Sequence, residues 1–170
     1  HGYRERGLET MIFTSSKDDR YGESEVVSRV GLRSPAHTYS ESDNILKMVH
    51  HENEKNELSC ILIDEAQFLT KDQVEQLGKI VDEMKITVMA FGIRTDFQGE
   101  LFEGSKYLLA WADRLTELRA VCHCGSKATM IVRVSEDGTI MRSGNQVEIG
   151  GNERYLSLCR KCFYSGAIGS

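Results

Sequence analysis

The stretch from Cys60 to Gly92 constrains the fold of this chain more than any other. Cys60–Ile63 is a short, continuous apolar run, the pattern of a strand covered on both faces. Thr70–Lys85 is amphipathic, with Val74, Leu77, Val81 and Met84 on one face of a helix. Thr70, with Gln73 three residues on, has the pattern of a capping box. Ile86–Phe91 is a second apolar run, expected as another buried strand ending at Gly92. Strand, helix and strand at this spacing predict a βαβ unit, hence a parallel sheet with a right-handed crossover.

Other segments extend this α/β pattern. His1–Arg6 reads as the last turns of a basic helix, stopped at Gly7. Leu8–Thr14 reads as a strand and Lys17–Gly31 as a polar loop. Ser34–Glu57, carrying Ile45, Met48 and Val49, suits a helix, as does Gly104–Arg114 with Tyr107, Leu108 and Trp111. The character changes near residue 120. Thr129–Val134 and Thr139–Arg142 read as short strands joined at Asp137-Gly138, a hairpin signal. The expected organisation is therefore an α/β core over residues 1–120 and a smaller lobe over 121–170.

Composition narrows the function classes. The 170 residues carry a formal net charge of −5, which argues against a broad basic surface for nucleic acid. No apolar run approaches a membrane span and no segment resembles a signal peptide, which favours the cytoplasm and no membrane partner. Five cysteines in a reducing compartment point to metal or free thiols rather than disulfides.

Asp64 and Glu65 stand side by side after Ile61, Leu62 and Ile63. An apolar strand ending in an acid is the Walker B pattern, which sets a carboxylate at the ligand-binding edge of a parallel sheet. There Asp64 suits a Mg²⁺ shell beside nucleotide phosphates, and Glu65 suits proton abstraction from an attacking hydroxyl. The plain alternative is a solvated strand end whose acids favour a helix dipole. Cys122, Cys124, Cys159 and Cys162 form a CxC and a CxxC pair, the pattern of a closed, structural tetrahedral zinc site. Reduced core thiols are the alternative, and iron suits the same ligands. Cys60 lies in the apolar run, where a free cysteine acts as a small hydrophobe.

Three further segments have both readings open. In GIRTDFQGELF, Phe97 and Phe102 flank a flat ring or pack into a core. In VEIGGNERYLSLC, Gly150-Gly151 admits a ligand close to the backbone or forms a turn. In DDRYG, Arg20 is a candidate for stabilising phosphate charge.

DDRYG, LIDEAQFL, GIRTDFQGELF, the CxC and CxxC pairs, and IGGNERY before the second pair resemble, in this order, the zinc-containing thymidine kinase family. The resemblance spans GYRERG to CRKC, nearly the whole chain. It implies a P-loop NTPase-like parallel sheet with flanking helices and a zinc-ribbon lobe carrying a lasso loop over the nucleoside. It implies phosphoryl transfer from ATP, with Mg²⁺, to the 5′-hydroxyl of deoxythymidine, giving dTMP for nucleotide salvage. By matching position, Glu65 is the general base and Asp64 the acid near Mg²⁺, with Ala66 and Gln67 beside them. Asp18 and Arg20 match the pair near the phosphates. Phe68, Phe97 and Phe102 match the thymine pocket. Val147, Ile149, Gly150 and Tyr155 match the lasso. Cys122, Cys124, Cys159 and Cys162 match the zinc ligands. A homotetramer inhibited by dTTP is also implied.

Two departures stand out. Arg94 occupies a position where many members carry an acid, as in a bacterial subgroup with the shorter CxC. No Gly-x-x-x-x-Gly-Lys-Ser/Thr occurs. That phosphate loop would precede the first helix, so it is expected upstream of His1 together with the first strand and most of that helix. Two other readings remain at this level: a DEAx-type nucleic-acid-dependent ATPase fragment, and a non-catalytic nucleoside-binding zinc protein.

Overall fold

The computed structural model describes residues 9–17, 25–27, 33–146 and 154–169. The expected helix end at His1–Arg6, most of Lys17–Gly31, and Asp18, Arg20, Val147, Ile149 and Gly150 lie outside them. The described residues group into two compact units. One comprises residues up to Ile93 with Glu103–Ala112; the other comprises Arg94–Phe102 with residues from Asp113 onward.

The first unit is built on a parallel sheet. Its strands are β1 (Glu9–Ser15), β4 (His37–Tyr39), β5 (Leu58–Ile63) and β6 (Thr87–Ala90), in the order β4-β1-β5-β6. A short antiparallel pair, β2 (Glu25–Val27) and β3 (Arg33–Pro35), stands apart from it. The helices are α1 (Ile45–Lys55), α2 (Lys71–Met84) and α3 (Glu103–Trp111). Met11 lies opposite Ile61 and Phe13 opposite Ile63 in the β1–β5 register. Because side chains alternate along a strand, these four share a face. They are buried in one core with Ile45 and Val49 of α1 and Val74, Leu77 and Ile80 of α2. Ile12 and Leu62, on the opposite face, are half-buried.

Four expectations change. The helix proposed for Ser34–Glu57 begins only at Ile45, after β3 and β4. The Asn44 side chain accepts from Lys47 N and fixes that start, and Asp43 holds the preceding turn by accepting from Ser40 N. The polar segment read as a loop contains β2. On α2 the third buried apolar position is Ile80, while Val81 and Met84 are half-buried. Thr87, Met89 and Ala90 of β6 are exposed rather than buried, since β6 is the last strand of the described sheet. An apolar run signals a strand but not its coverage.

The second unit contains an antiparallel sheet of β9 (Met130–Val134), β10 (Ile140–Met141) and β11 (Arg154–Leu158), with β9 central. A two-stranded ribbon, β7 (Ala120–Val121) with β8 (Lys127–Ala128), and helix α4 (Arg160–Ser165) complete it. The Asp137-Gly138 hairpin forms: Ser135 N donates to Thr139 O at 2.8 Å, and Gly138 has φ +87°. Val132, Val134, Leu158 and Phe163 share a core with three cysteines. Among the described residues no helix is long and apolar enough to cross a membrane.

Candidate active site and metal centre

In the first unit, β5 delivers Asp64 and Glu65 to the carboxyl edge of the sheet. Asp64 N still donates to Phe13 O of β1, at 2.8 Å. The chain then turns sharply. Glu65 has φ 52° and ψ 43°, one of two non-glycine residues among those described with positive φ. This left-handed conformation is costly for a side chain with a Cβ and persists where the surroundings enforce it. Those surroundings are visible. Glu65 N donates to Asp64 Oδ1 at 2.9 Å, and Ala66 N donates to Phe91 O at 2.8 Å. The Tyr39 hydroxyl donates to Glu65 O at 2.9 Å. Gln67 Nε2 donates to Glu65 Oε2 at 2.6 Å and so orients the carboxylate.

No local sequence signal marks Tyr39, and only the pairing of β4 beside β1 brings it here. Its side chain is buried. Burial foremost, then the nearby charges of Glu65 and Asp64, push its hydroxyl far above the ordinary tyrosine range, so it stays protonated and a donor.

Close backbone approach locks the same turn. A Cβ on Gly104 would lie 2.3 Å from Ala66 O, and one on Gly92 would lie 2.7 Å from Gln67 Oε1. Ser105 Oγ donates to Ile93 O at 2.5 Å, and Ile93 N donates to Gln67 Oε1 at 3.3 Å. Phe68 is half-buried, with Lys17 Nζ 5.5 Å from its ring centroid. Asp64, Glu65, Ala66, Gln67 and Phe68 thus form one cluster: a partly exposed carboxylate pair on a rigid turn.

In the second unit, Phe97 and Tyr155 meet at one side chain. The Arg133 guanidinium lies 3.9 Å from the Phe97 ring centroid and 5.6 Å from that of Tyr155. Arg133 Nε donates to the Tyr155 hydroxyl at 3.1 Å. Phe97 is buried, Phe102 is buried, and Tyr155 is half exposed. Asp96 accepts from Gln98 N and Glu100 N through one carboxylate oxygen, closing the 96–100 loop. The sequence carries no signal for Arg133 or Asp96, since a lone Arg in a β-hairpin and a lone Asp in a loop have no distinctive pattern.

The four expected cysteines converge. Their Sγ atoms all lie within 4.8 Å of one another. Gly125, with φ +94°, makes the first turn: Gly125 N donates to Cys122 O and Cys122 N to Ser126 O. Cys159 is the N-cap of α4, its Sγ accepting from Cys162 N at 3.4 Å. The cysteines form no disulfide. Hydrogen bonds from Ser126 foremost, then from neighbouring thiols, bring Cys124 down to about 6. Burial pushes Cys162 up to about 12. Four convergent soft donors on two tight turns, closed by a small β-ribbon and a helix, form a set that could hold zinc.

A family model described as "Thymidine kinase" matches residues 1–163. A protein named thymidine kinase from Shewanella oneidensis is 56% identical over 163 residues, covering 96% of this chain and 85% of that protein. One of the same name from Rhodopirellula baltica is 55% identical over 163 residues, covering 96% of this chain and 77% of its own length. Another from Aliivibrio fischeri is 52% identical over 167 residues, covering 98% and 86%. With a parallel α/β sheet ending in a carboxylate pair and a four-cysteine cluster in a β-ribbon unit, the chain belongs to the thymidine kinase family.

Proposed function

We propose that this chain transfers the γ-phosphoryl group of ATP to the 5′-oxygen of deoxythymidine, giving dTMP. The observation that carries the reading is the turn at Glu65. Its backbone is held in the left-handed region while Gln67 fixes its carboxylate. A general base must be presented at a set position to a hydroxyl. Strain maintained at a partly exposed acid is more consistent with that duty than with a solvated strand end.

Glu65 takes the proton of the 5′-hydroxyl as its oxygen attacks phosphorus. ADP is the leaving group, and Asp64 would take part in holding a Mg²⁺ whose positive charge would offset that of the phosphates. Ala66 and Gln67 complete the turn beside the nucleotide. Asp18 and Arg20 act at the phosphates. Phe68, Phe97 and Phe102 take the thymine, and Val147, Ile149, Gly150 and Tyr155 cover the nucleoside. Cys122, Cys124, Cys159 and Cys162 hold a structural Zn²⁺ that shapes the unit carrying this cover. A cytoplasmic homotetramer inhibited by dTTP completes the proposal, and all of these assignments rest on the family resemblance.

The test is Glu65→Gln, which keeps shape and removes the base. We expect turnover to fall by about 10²-fold or more, with thymidine binding by calorimetry largely kept. Turnover equal to that of the unaltered protein would remove Glu65 from this role.

A further inference from the structure

Gln67 uses both ends of its amide on the turn that carries Glu65. Nε2 donates to Glu65 Oε2 at 2.6 Å, and Oε1 accepts from Ile93 N at 3.3 Å. Ser105, in the first turn of α3, holds Ile93 from its other side: its Oγ donates to Ile93 O at 2.5 Å. Gln67 and Ser105 are both buried. Arg94–Phe102 belongs to the second unit, so the Ser105 bond joins the points where the chain leaves the first unit and re-enters it.

The two ends of an amide are not equivalent. Turned over, Gln67 would set its oxygen against the Glu65 carboxylate and its NH2 against the Ile93 N–H, losing a bond at each end. The Ile93 N–H therefore selects the orientation in which a donor faces Glu65. That selection depends on where Ile93 stands. The Ile93 bond lies at the long end of the range for N–H···O, so a small retreat of the backbone would break it. Ser105 opposes that retreat from an element already seated on the turn, since α3 meets Ala66 and Gln67 backbone to backbone at Gly104.

We infer that Ser105 is a positioning residue for Glu65, acting through Ile93 and Gln67. The Ser105 hydroxyl pins Ile93, Ile93 N–H orients the Gln67 amide, and that amide aims the carboxylate. This rests on the proposed role of Glu65 as the base that takes the proton of the 5′-hydroxyl. Ser105 touches no reacting atom in this scheme. A carboxylate held less firmly is less often aimed at the hydroxyl, so loss of the Ser105 hydroxyl should slow the chemical step and leave nucleoside binding unaltered.

The experiment compares the full protein as wild type, Ser105→Ala, Ser105→Thr, Gln67→Met and the double variant of Ser105→Ala with Gln67→Met. Thymidine calorimetry gives Kd and the fraction of chains competent to bind. Single-turnover phosphoryl transfer is then expressed per competent chain, so that a general loss of fold does not pass for a loss of rate. We expect Ser105→Ala to lower the single-turnover rate by about three- to tenfold, with Kd for thymidine within about twofold of wild type. Ser105→Thr, which keeps the hydroxyl, should stay within about twofold in rate. Gln67→Met should cost at least as much as Ser105→Ala. Adding Ser105→Ala to it should cost less than about twofold more, because the relay is already cut. A wild-type rate in Ser105→Ala would overturn the inference. So would an equal loss in Ser105→Thr, a loss seen in Kd alone, or losses that multiply in full in the double variant. Glu65→Gln separates this inference from the reading it rests on. If Glu65→Gln transfers at the wild-type rate, the role of Glu65 falls and the relay with it. If Glu65→Gln is impaired while Ser105→Ala is not, the relay alone falls.

Discussion

At the scale of single residues, the turn after β5 shows how a carboxylate is made stationary. Asp64 and Glu65 are adjacent, so both acids were visible in the sequence. The left-handed backbone at Glu65 and its grip by Tyr39 were not, because Tyr39 lies 26 residues away and arrives through strand pairing. Tyr39→Phe removes the hydroxyl that holds Glu65 O and changes little else in shape. We expect kcat to fall by about three- to thirtyfold with little change in thymidine KM, alongside a stability loss of about 1 kcal/mol. Equal kcat in Tyr39→Phe would mean that the turn holds its conformation without that donor. The thiols teach the same lesson: their ligand pattern was legible, but the turn at Gly125 that points Cys122 and Cys124 the same way needed φ +94°.

At the scale of elements, α2 is the best-predicted part of the chain because its signals are local. Thr70 Oγ1 accepts from Gln73 N at 3.1 Å, and Gln73 Oε1 accepts from Thr70 N at 3.0 Å, the capping box expected from spacing. What spacing did not reveal is the second use of that glutamine. Gln73 Nε2 donates to Ser40 O and Asp43 O, and Gln76 Oε1 accepts from Ile45 N. Two buried amides of α2 thus fasten the start of α1. Thr70→Ala should cost about 1 kcal/mol, seen as a lower midpoint in denaturant with far-ultraviolet dichroism kept. No change in midpoint would show that Gln73 alone carries the cap. Helix α1 itself was misplaced at its start, since Ile45, Met48 and Val49 give a helical period but Ser34–Tyr39 have no helical signal of their own.

At the scale of the whole molecule, two units rest on different physics. The first buries a continuous apolar core between sheet and helices. The second has a small core in which Cys122, Cys159 and Cys162 are themselves buried members, so a metal there would contribute directly to its folding. Chelation should therefore speed hydrogen exchange in β9, β11 and α4 while β1, β5 and α2 stay protected. In the metal-stripped protein at neutral pH, Cys124, lowered to about 6, should be alkylated before Cys162, raised to about 12. Its labelling should slow as pH falls through about 6, where the thiolate takes up its proton. Uniform exchange across both units, or Cys162 labelled first, would contradict this picture. The elements with local signatures are legible from neighbouring residues alone: the alternating and helical apolar periods, the capping box, the hairpin turn, the paired acids and the paired thiols. Each depends on residues within a few positions of one another. Tertiary pairing, by contrast, places β6 last in the described sheet, joins Arg94–Phe102 to the second unit, and brings the Tyr39 hydroxyl to Glu65 O and Arg133 to Asn145, Gln146 and Tyr155. Those outcomes turn on burial and pairing between distant segments, for which no run of neighbouring residues carries a signal.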